Sequence, residues 1–147
     1  MIFRSTFKGG ENMKNTKKHT YSYKKPEYKK PDRREFHRGE MYWVDMKGTD
    51  GNMFKRRPAV IISNDKCNKH SESLTVIPLT SLDEHSRVSE HLPTHVNIMG
   101  VQGVKSCAKC EHIAAVEKRQ VYEFIRPLRE KEIRDITFAA CVQIGVF

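Results

Sequence analysis

The sequence predicts a mainly β fold with a C-terminal helix, built as a small twisted barrel or half-barrel. Three observations predict it: about five short apolar or β-branched runs, turns rich in Gly and Asp between them, and one amphipathic stretch near the end of the chain. That order favours an antiparallel architecture over a parallel sheet with crossover helices.

The first run, Gly39-Glu40-Met41-Tyr42-Trp43-Val44-Asp45-Met46, is rich in aromatic and branched residues and reads as a strand. The cluster Gly48-Thr49-Asp50-Gly51-Asn52 ends it in a mobile loop. Residues 59–63 form a continuous apolar run, short enough for a strand covered on both faces. Residues 74–80 form another, and Pro78 inside it argues for an edge or site-facing position because proline gives no donor to a ladder. Residues 82–92, charged and without a period, read as a loop over the sheet. Strand signals resume at Thr94-His95-Val96-Asn97-Ile98, pause at Gly100 and Gly103, and return over 106–116. From Arg129 onward, Ile133, Ile136, Thr137, Ala140 and Ile144 recur at spacings of three and four, which predicts a helix with Arg134 and Asp135 turned outward.

A chain of 147 residues with a mean hydropathy of −0.68 holds material for one modest core and something unfolded besides. The net charge of +9 is unevenly placed. Residues 1–37 carry 11 Lys and Arg against 4 Asp and Glu, whereas 38–147 carry 16 against 14. The segment 1–37 therefore reads as a basic, disordered tail, and 38–147 as the folded domain. With Tyr21, Tyr23 and Tyr28 spaced among its lysines, the tail suits either an electrostatic arm along a phosphate backbone or a merely solvated leader. Gly9-Gly10-Glu11 is encodable by a purine-rich stretch resembling a ribosome-binding site, so translation from Met13 is a further expectation, which intact mass checks. No apolar run is long enough to cross a bilayer and no signal-peptide core is present, which predicts a cytoplasmic protein without membrane contact.

The motif with most chemistry in it is Arg56-Arg57-Pro58-Ala59-Val60-Ile61-Ile62-Ser63-Asn64-Asp65, followed after nine residues by Thr75-Val76-Ile77-Pro78-Leu79-Thr80-Ser81. Two buried strands, one led in by Arg-Pro and one ending in a hydroxyl pair, place an arginine and a threonine at one rim of a sheet. A fixed guanidinium and a rotatable hydroxyl together suit an anionic ligand such as a phosphodiester.

These strings, with Arg38-Gly39-Glu40-Met41-Tyr42-Trp43-Val44-Asp45 before them, Asn68-Lys69 and Ser71 between them and Leu92-Pro93-Thr94-His95-Val96 after them, resemble the MazF/PemK toxins of bacterial toxin–antitoxin pairs. The resemblance covers about 38–147. It implies a small SH3-like β-barrel of the CcdB/PemK type, a homodimer, and a metal-independent endoribonuclease that cuts single-stranded RNA at a short sequence. It also implies a cognate antitoxin whose acidic C-terminal segment occupies the RNA groove, and no cofactor. Arg57 falls on the family's arginine at the scissile phosphate, Thr80 on its active-site threonine, with Ser81 beside it. The family's loop acid has no counterpart in Gly51-Asn52-Met53-Phe54-Lys55-Arg56, so the proton acceptor is sought at Lys109-Cys110-Glu111-His112. Glu111 or His112 is then the candidate base, with Lys109, Lys55 and Arg56 as RNA contacts. An Arg-Thr pair common in the family is replaced by Ala114-Ala115.

The reaction needs an acceptor for the 2′-hydroxyl proton, donors for charge growing on the phosphate oxygens, and a proton for the departing 5′-oxygen. Arg57 suits the donor role, because a guanidinium is a poor base, and Thr80 would add a hydrogen bond. His95 alternates with Val96 in a strand and reads as structural. Cys107 and Cys110 have the spacing of a zinc knuckle, but the segment reads as extended chain, where residues three apart face opposite ways; no metal site is expected. Four thiols suit a reducing compartment. Two function classes stay open: the endoribonuclease, and a non-cleaving module of the same fold that binds RNA, DNA or a protein such as gyrase.

Overall fold

The computed structural model describes residues 35–47, 54–82 and 92–147. The expectations for residues 1–34 and for the loop segments 48–53 and 83–91 lie outside the described residues. The elements are β1 (Glu40–Lys47), β2 (Phe54–Ile61), α1 (Asp65–His70), β3 (Ser73–Ser81), β4 (His95–Met99), β5 (Lys105–Lys109), β6 (Ala114–Glu117), β7 (Val121–Pro127) and α2 (Glu130–Gln143). The strands form one antiparallel sheet in the order β4-β5-β3-β2-β1-β7, with β6 joined to β3 beside β5. This is the expected mainly β architecture with a C-terminal helix. The strand path runs from β4 to β7 without closing on itself among the described residues, so half-barrel is the closer description.

Alternation along the strands divides the apolar residues between two cores. Met41, Val60, Ile77 and Leu79 meet Ile136, Ala139 and Ala140 of α2 on one side of the sheet. Tyr42, Val44, Met46, Ala59, Ile61, Leu74 and Val76 fill the other. Phe36 packs edge-on against Tyr42 with centroids 5.3 Å apart.

The β2–β3 ladder stops at the pair Ala59 and Pro78. Pro58 and Pro78, neither with an N–H to give, stand at that end. Beyond it β3 leaves β2 and pairs with β5 through Leu79, Thr80 and Ser81. Pro78 thus marks the point where a strand changes partners.

Four features differ from the sequence expectation. The stretch 106–116 is two strands separated by a turn at Cys110–His112. Residues 121–127 form a strand that pairs with β1. Residues 65–70 form a short helix, capped by Asn64, whose side chain accepts from Cys67 N at 2.9 Å. Ile144 is exposed past the end of α2, and the helix buries Glu132 instead. That carboxylate caps its own helix by accepting from Arg129 N at 2.8 Å, and takes two bonds from the Arg126 guanidinium, each 3.0 Å. Burial raises the Glu132 carboxyl, but these bonds outweigh it and hold the group down at about 2.

Candidate active site

Arg57 shares a sheet face with Ala59 and Ile61, and Thr80 with Pro78, Val76 and Leu74. The apolar members Ala59, Ile61, Val76 and Leu74 fill the second core. Arg57 and Thr80 are the next side chains of the same two rows, past the last paired residues, so the polar groups emerge where the core runs out. Continuing the Ala59–Pro78 register by two residues sets Arg57 across from Thr80. Both side chains line one cleft of about 540 Å3, whose other walls include Lys47, Lys109, Glu111 and His112.

The opposite wall owes its place to an offset in the ladder. Leu79 pairs with Ala108 and Val76 with Ala114. Between those pairs β3 has two residues and the facing chain five, so three are in excess. The turn Cys110–His112 takes up that excess and carries Glu111 and His112 into the cleft. A local surplus of residues re-aims side chains in this way beside many binding sites.

Glu111 is firmly held. Its Oε1 accepts from His95 Nε2 at 2.6 Å and its Oε2 from Thr94 Oγ1 at 3.2 Å. Burial pushes its carboxyl up, but the His95 bond, a backbone bond, the His95 charge and the Thr94 bond together bring it below the usual carboxylate range. The carboxylate is therefore charged at neutral pH and a weaker base than a free one. His112 is exposed in the same cleft and forms no hydrogen bond or ion pair among the described residues. Arg57 likewise has no bonded partner among the described residues, and it lines the cleft.

The remaining sequence candidates divide. Lys109 lines the cleft with Arg57 and Thr80. Ser81 instead lines a neighbouring cleft of about 430 Å3, which Arg57 and Thr80 also border. Arg56 is on the opposite face of β2, in a two-pronged pair with Asp45 at 2.7 and 2.9 Å and with its guanidinium 3.6 Å from the Tyr122 ring centre. Those contacts make it a strut between β2, β1 and β7. Lys55 is exposed and lines neither of the clefts that Arg57 borders.

Three contributors escaped sequence reading. His95 reads as structural from its strand pattern, and its side chain is only 8% exposed, yet its bond ends on the Glu111 carboxylate. Lys47 reaches the cleft from the end of β1. Gln102 borders the smaller cleft, and the glycines at 100 and 103 were the signal for a tight turn there. Cys110 opens the turn rather than continuing an extended strand; its thiol is buried and donates to the Ile136 carbonyl at 3.8 Å. Among the described residues no three His, Cys, Asp or Glu side chains are grouped to hold a metal ion.

A family model described as PemK-like, MazF-like toxin of type II toxin-antitoxin system matches residues 37–144. The Endoribonuclease MazF of Staphylococcus saprophyticus subsp. saprophyticus is 27% identical over 113 residues, covering 74% of this chain and 91% of that protein. An endoribonuclease from a mycobacterial species, solved in complex with its cognate antitoxin, has a TM-score of 0.62 at 19% identity, over 76% of this chain and 97% of that one. MazF from Deinococcus radiodurans also reaches 0.62, at 18% identity and over 76% and 98% of the two chains.

Proposed function

Because the chain belongs to the family of PemK-like, MazF-like toxins of type II toxin–antitoxin systems, we propose that it is an endoribonuclease that cuts single-stranded RNA at preferred sequences without a metal ion. The observation that carries this reading is that Arg57 and Thr80, from different strands, border one cleft whose far wall holds Glu111 and His112.

A phosphate between Arg57 and Thr80 receives two charged donors and one hydroxyl donor. The ribose 2′-oxygen attacks the adjacent phosphorus, its proton passes to an acceptor, and the bond to the 5′-oxygen breaks. The ends are a 2′,3′-cyclic phosphate and, once a proton is supplied, a 5′-hydroxyl. Arg57 stabilises charge on the non-bridging oxygens, and Thr80 adds a hydrogen bond to one of them. Glu111 or His112 takes the proton. Glu111 is charged at neutral pH but weakly basic, while His112, without a bonded partner among the described residues, is an imidazole, the group most used for this work. Lys109 and Lys47 supply positive charge for the neighbouring backbone.

The same donors suit an acidic peptide, so an antitoxin with an acidic extended segment is the partner that would silence the cleft. The mycobacterial relative was solved with its cognate antitoxin. Pairing of two copies and a cytoplasmic setting belong to the same reading, and among the described residues no helix is long and apolar enough to cross a membrane.

The test is incubation of the purified protein with a long mixed-sequence RNA in excess EDTA. Cleavage at recurring sites is expected, with Arg57→Ala abolishing it at an unchanged thermal midpoint. The engagement of both Glu111 oxygens favours a second reading, a module that binds RNA without cutting it. RNA that stays intact yet bound would decide for that reading.

A further inference from the structure

Arg57 and Thr80 border two clefts, so a phosphate held by them has one neighbouring nucleotide directed to each. The larger cleft carries the charged groups described above. The smaller one is different in kind. Its walls include Trp43, Pro58, Leu79, Val101 and Val104, with Gln102 as the long amide side chain among them. We propose that this second cleft seats one unpaired nucleobase beside the scissile phosphate and that Gln102 reads its edge. The proposal rests on the ribonuclease reading and names the residue that sets its base preference.

The chemistry fits a base. Apolar and aromatic walls accept the flat faces of a nucleobase, the usual mode for single strands. The Gln amide presents a donor and an acceptor in one plane, which matches the adjacent acceptor and donor on adenine. By the pairing that glutamine makes with adenine N6 and N7 in duplexes, adenine is the expected occupant.

The backbone gives an independent reason to single out Gln102. Its φ of 51° and ψ of 31° make it the one non-glycine residue with positive φ among the described residues. An L-residue is disfavoured there, and glycine is not. Gly103 beside it also has positive φ, at 75°. The turn around them is tightly closed: Gly100 N donates to Val104 O at 2.7 Å, Val104 N to Val101 O at 3.0 Å, and Ser106 Oγ to Val104 O at 3.1 Å. A Cβ at Gly100 would collide with Ser106 Oγ. A rigid turn thus holds an exposed amide side chain in an unfavourable backbone conformation at the border of a cleft, where structure alone would select glycine.

Gln102→Gly separates the two roles, because it relieves the backbone and removes the amide. Selection of a randomised 2′-O-methyl RNA pool, which lacks the attacking hydroxyl, reads base preference without cleavage. The wild type should enrich one base, adenine, at a single position. Gln102→Gly should cut that enrichment roughly tenfold and leave the other positions unchanged, with a thermal midpoint equal to or above that of the wild type. Equal enrichment in both proteins, or a loss at all positions with a lowered midpoint, would overturn the proposal. Failure to cut unmodified RNA would instead remove the ribonuclease reading and leave this measurement standing.

Discussion

His95 Nε2 and Glu111 Oε1 stand 2.6 Å apart, joining the first residue of β4 to the turn that carries Glu111 into the cleft. The bond spans 16 residues of sequence and ends on a carboxylate whose other oxygen is taken by Thr94. His95 is thereby a positioning residue for Glu111.

If ionised Glu111 takes part in cleavage, His95 sets the pH at which it becomes available. The His95 bond is the largest influence lowering this carboxyl, against the burial that raises it. In His95→Ala the carboxyl moves up, so the acid side of the cleavage profile should shift to higher pH. Loss of a hydrogen bond to a charged group should also slow cleavage on the order of tenfold. His95→Gln, which keeps a donor, should recover part of both. A profile that does not move in His95→Ala assigns His95 to structure alone.

The Arg57–Thr80 convergence was legible because Arg57 leads through Pro58 into one short apolar run and Thr80 ends another that contains Pro78, and runs of that kind pair. The wall opposite was legible only through the family resemblance, which pointed to Lys109, Glu111 and His112; strand patterns alone did not show it. Glu111 enters the cleft only because five residues face two across β3, and a ladder offset has no local sequence signal. The strand β7 was hidden for a related reason: Tyr122, Phe124 and Ile125 are interleaved with Glu123 and Arg126, and only pairing with β1 decides their state. Arg56 and Arg57 look equivalent in sequence, yet alternation sends one to Asp45 and Tyr122 and the other to the cleft.

Ala114 borders both the Arg57 cleft and an adjoining cleft of about 720 Å3 that continues to Arg119 and Tyr122. Met46 and Lys47 are likewise common to the two. This continuity gives a single strand a path beyond Glu111, and a small residue leaves that path uncharged at its midpoint. Ala114→Arg should tighten RNA binding at low salt and steepen the slope of log affinity against log salt by about 0.7, the value for one added phosphate contact to a single strand. An unchanged slope in a binding titration would place the strand elsewhere.

The thiols should react in two classes. Cys67 is exposed, whereas Cys107 and Cys110 are buried. Burial raises both buried thiols, and with the Glu111 charge adding to it Cys110 is pushed up to about 12. At pH 8 a thiol-alkylating reagent should modify Cys67 in the native protein and reach Cys107 and Cys110 only on unfolding. Peptide mapping by mass spectrometry checks this, and rapid native labelling of Cys110 would contradict the packing of its turn against α2.

The capping carboxylate of α2 makes the fold sensitive to acid. Glu132 is 7% exposed and joins Arg126 of β7 to its own helix, while Arg126 also donates to Met99 O at 2.6 Å. Its carboxyl lies at about 2 in the folded protein against an ordinary 4.5. A depressed carboxyl stabilises the fold fully above its unfolded value, and that contribution drains away as pH falls through the window from about 4.5 to about 2. Converted by linkage, the difference is on the order of 3 kcal/mol. Glu132→Gln should therefore lower stability at pH 7 by a large part of that amount, since it removes the counter-charge of the half-buried Arg126 guanidinium. It should also flatten the acid limb of stability between pH 4.5 and 2. Urea midpoints measured across that range check both effects, and parallel acid limbs for wild type and variant would mean that another carboxylate governs the acid response.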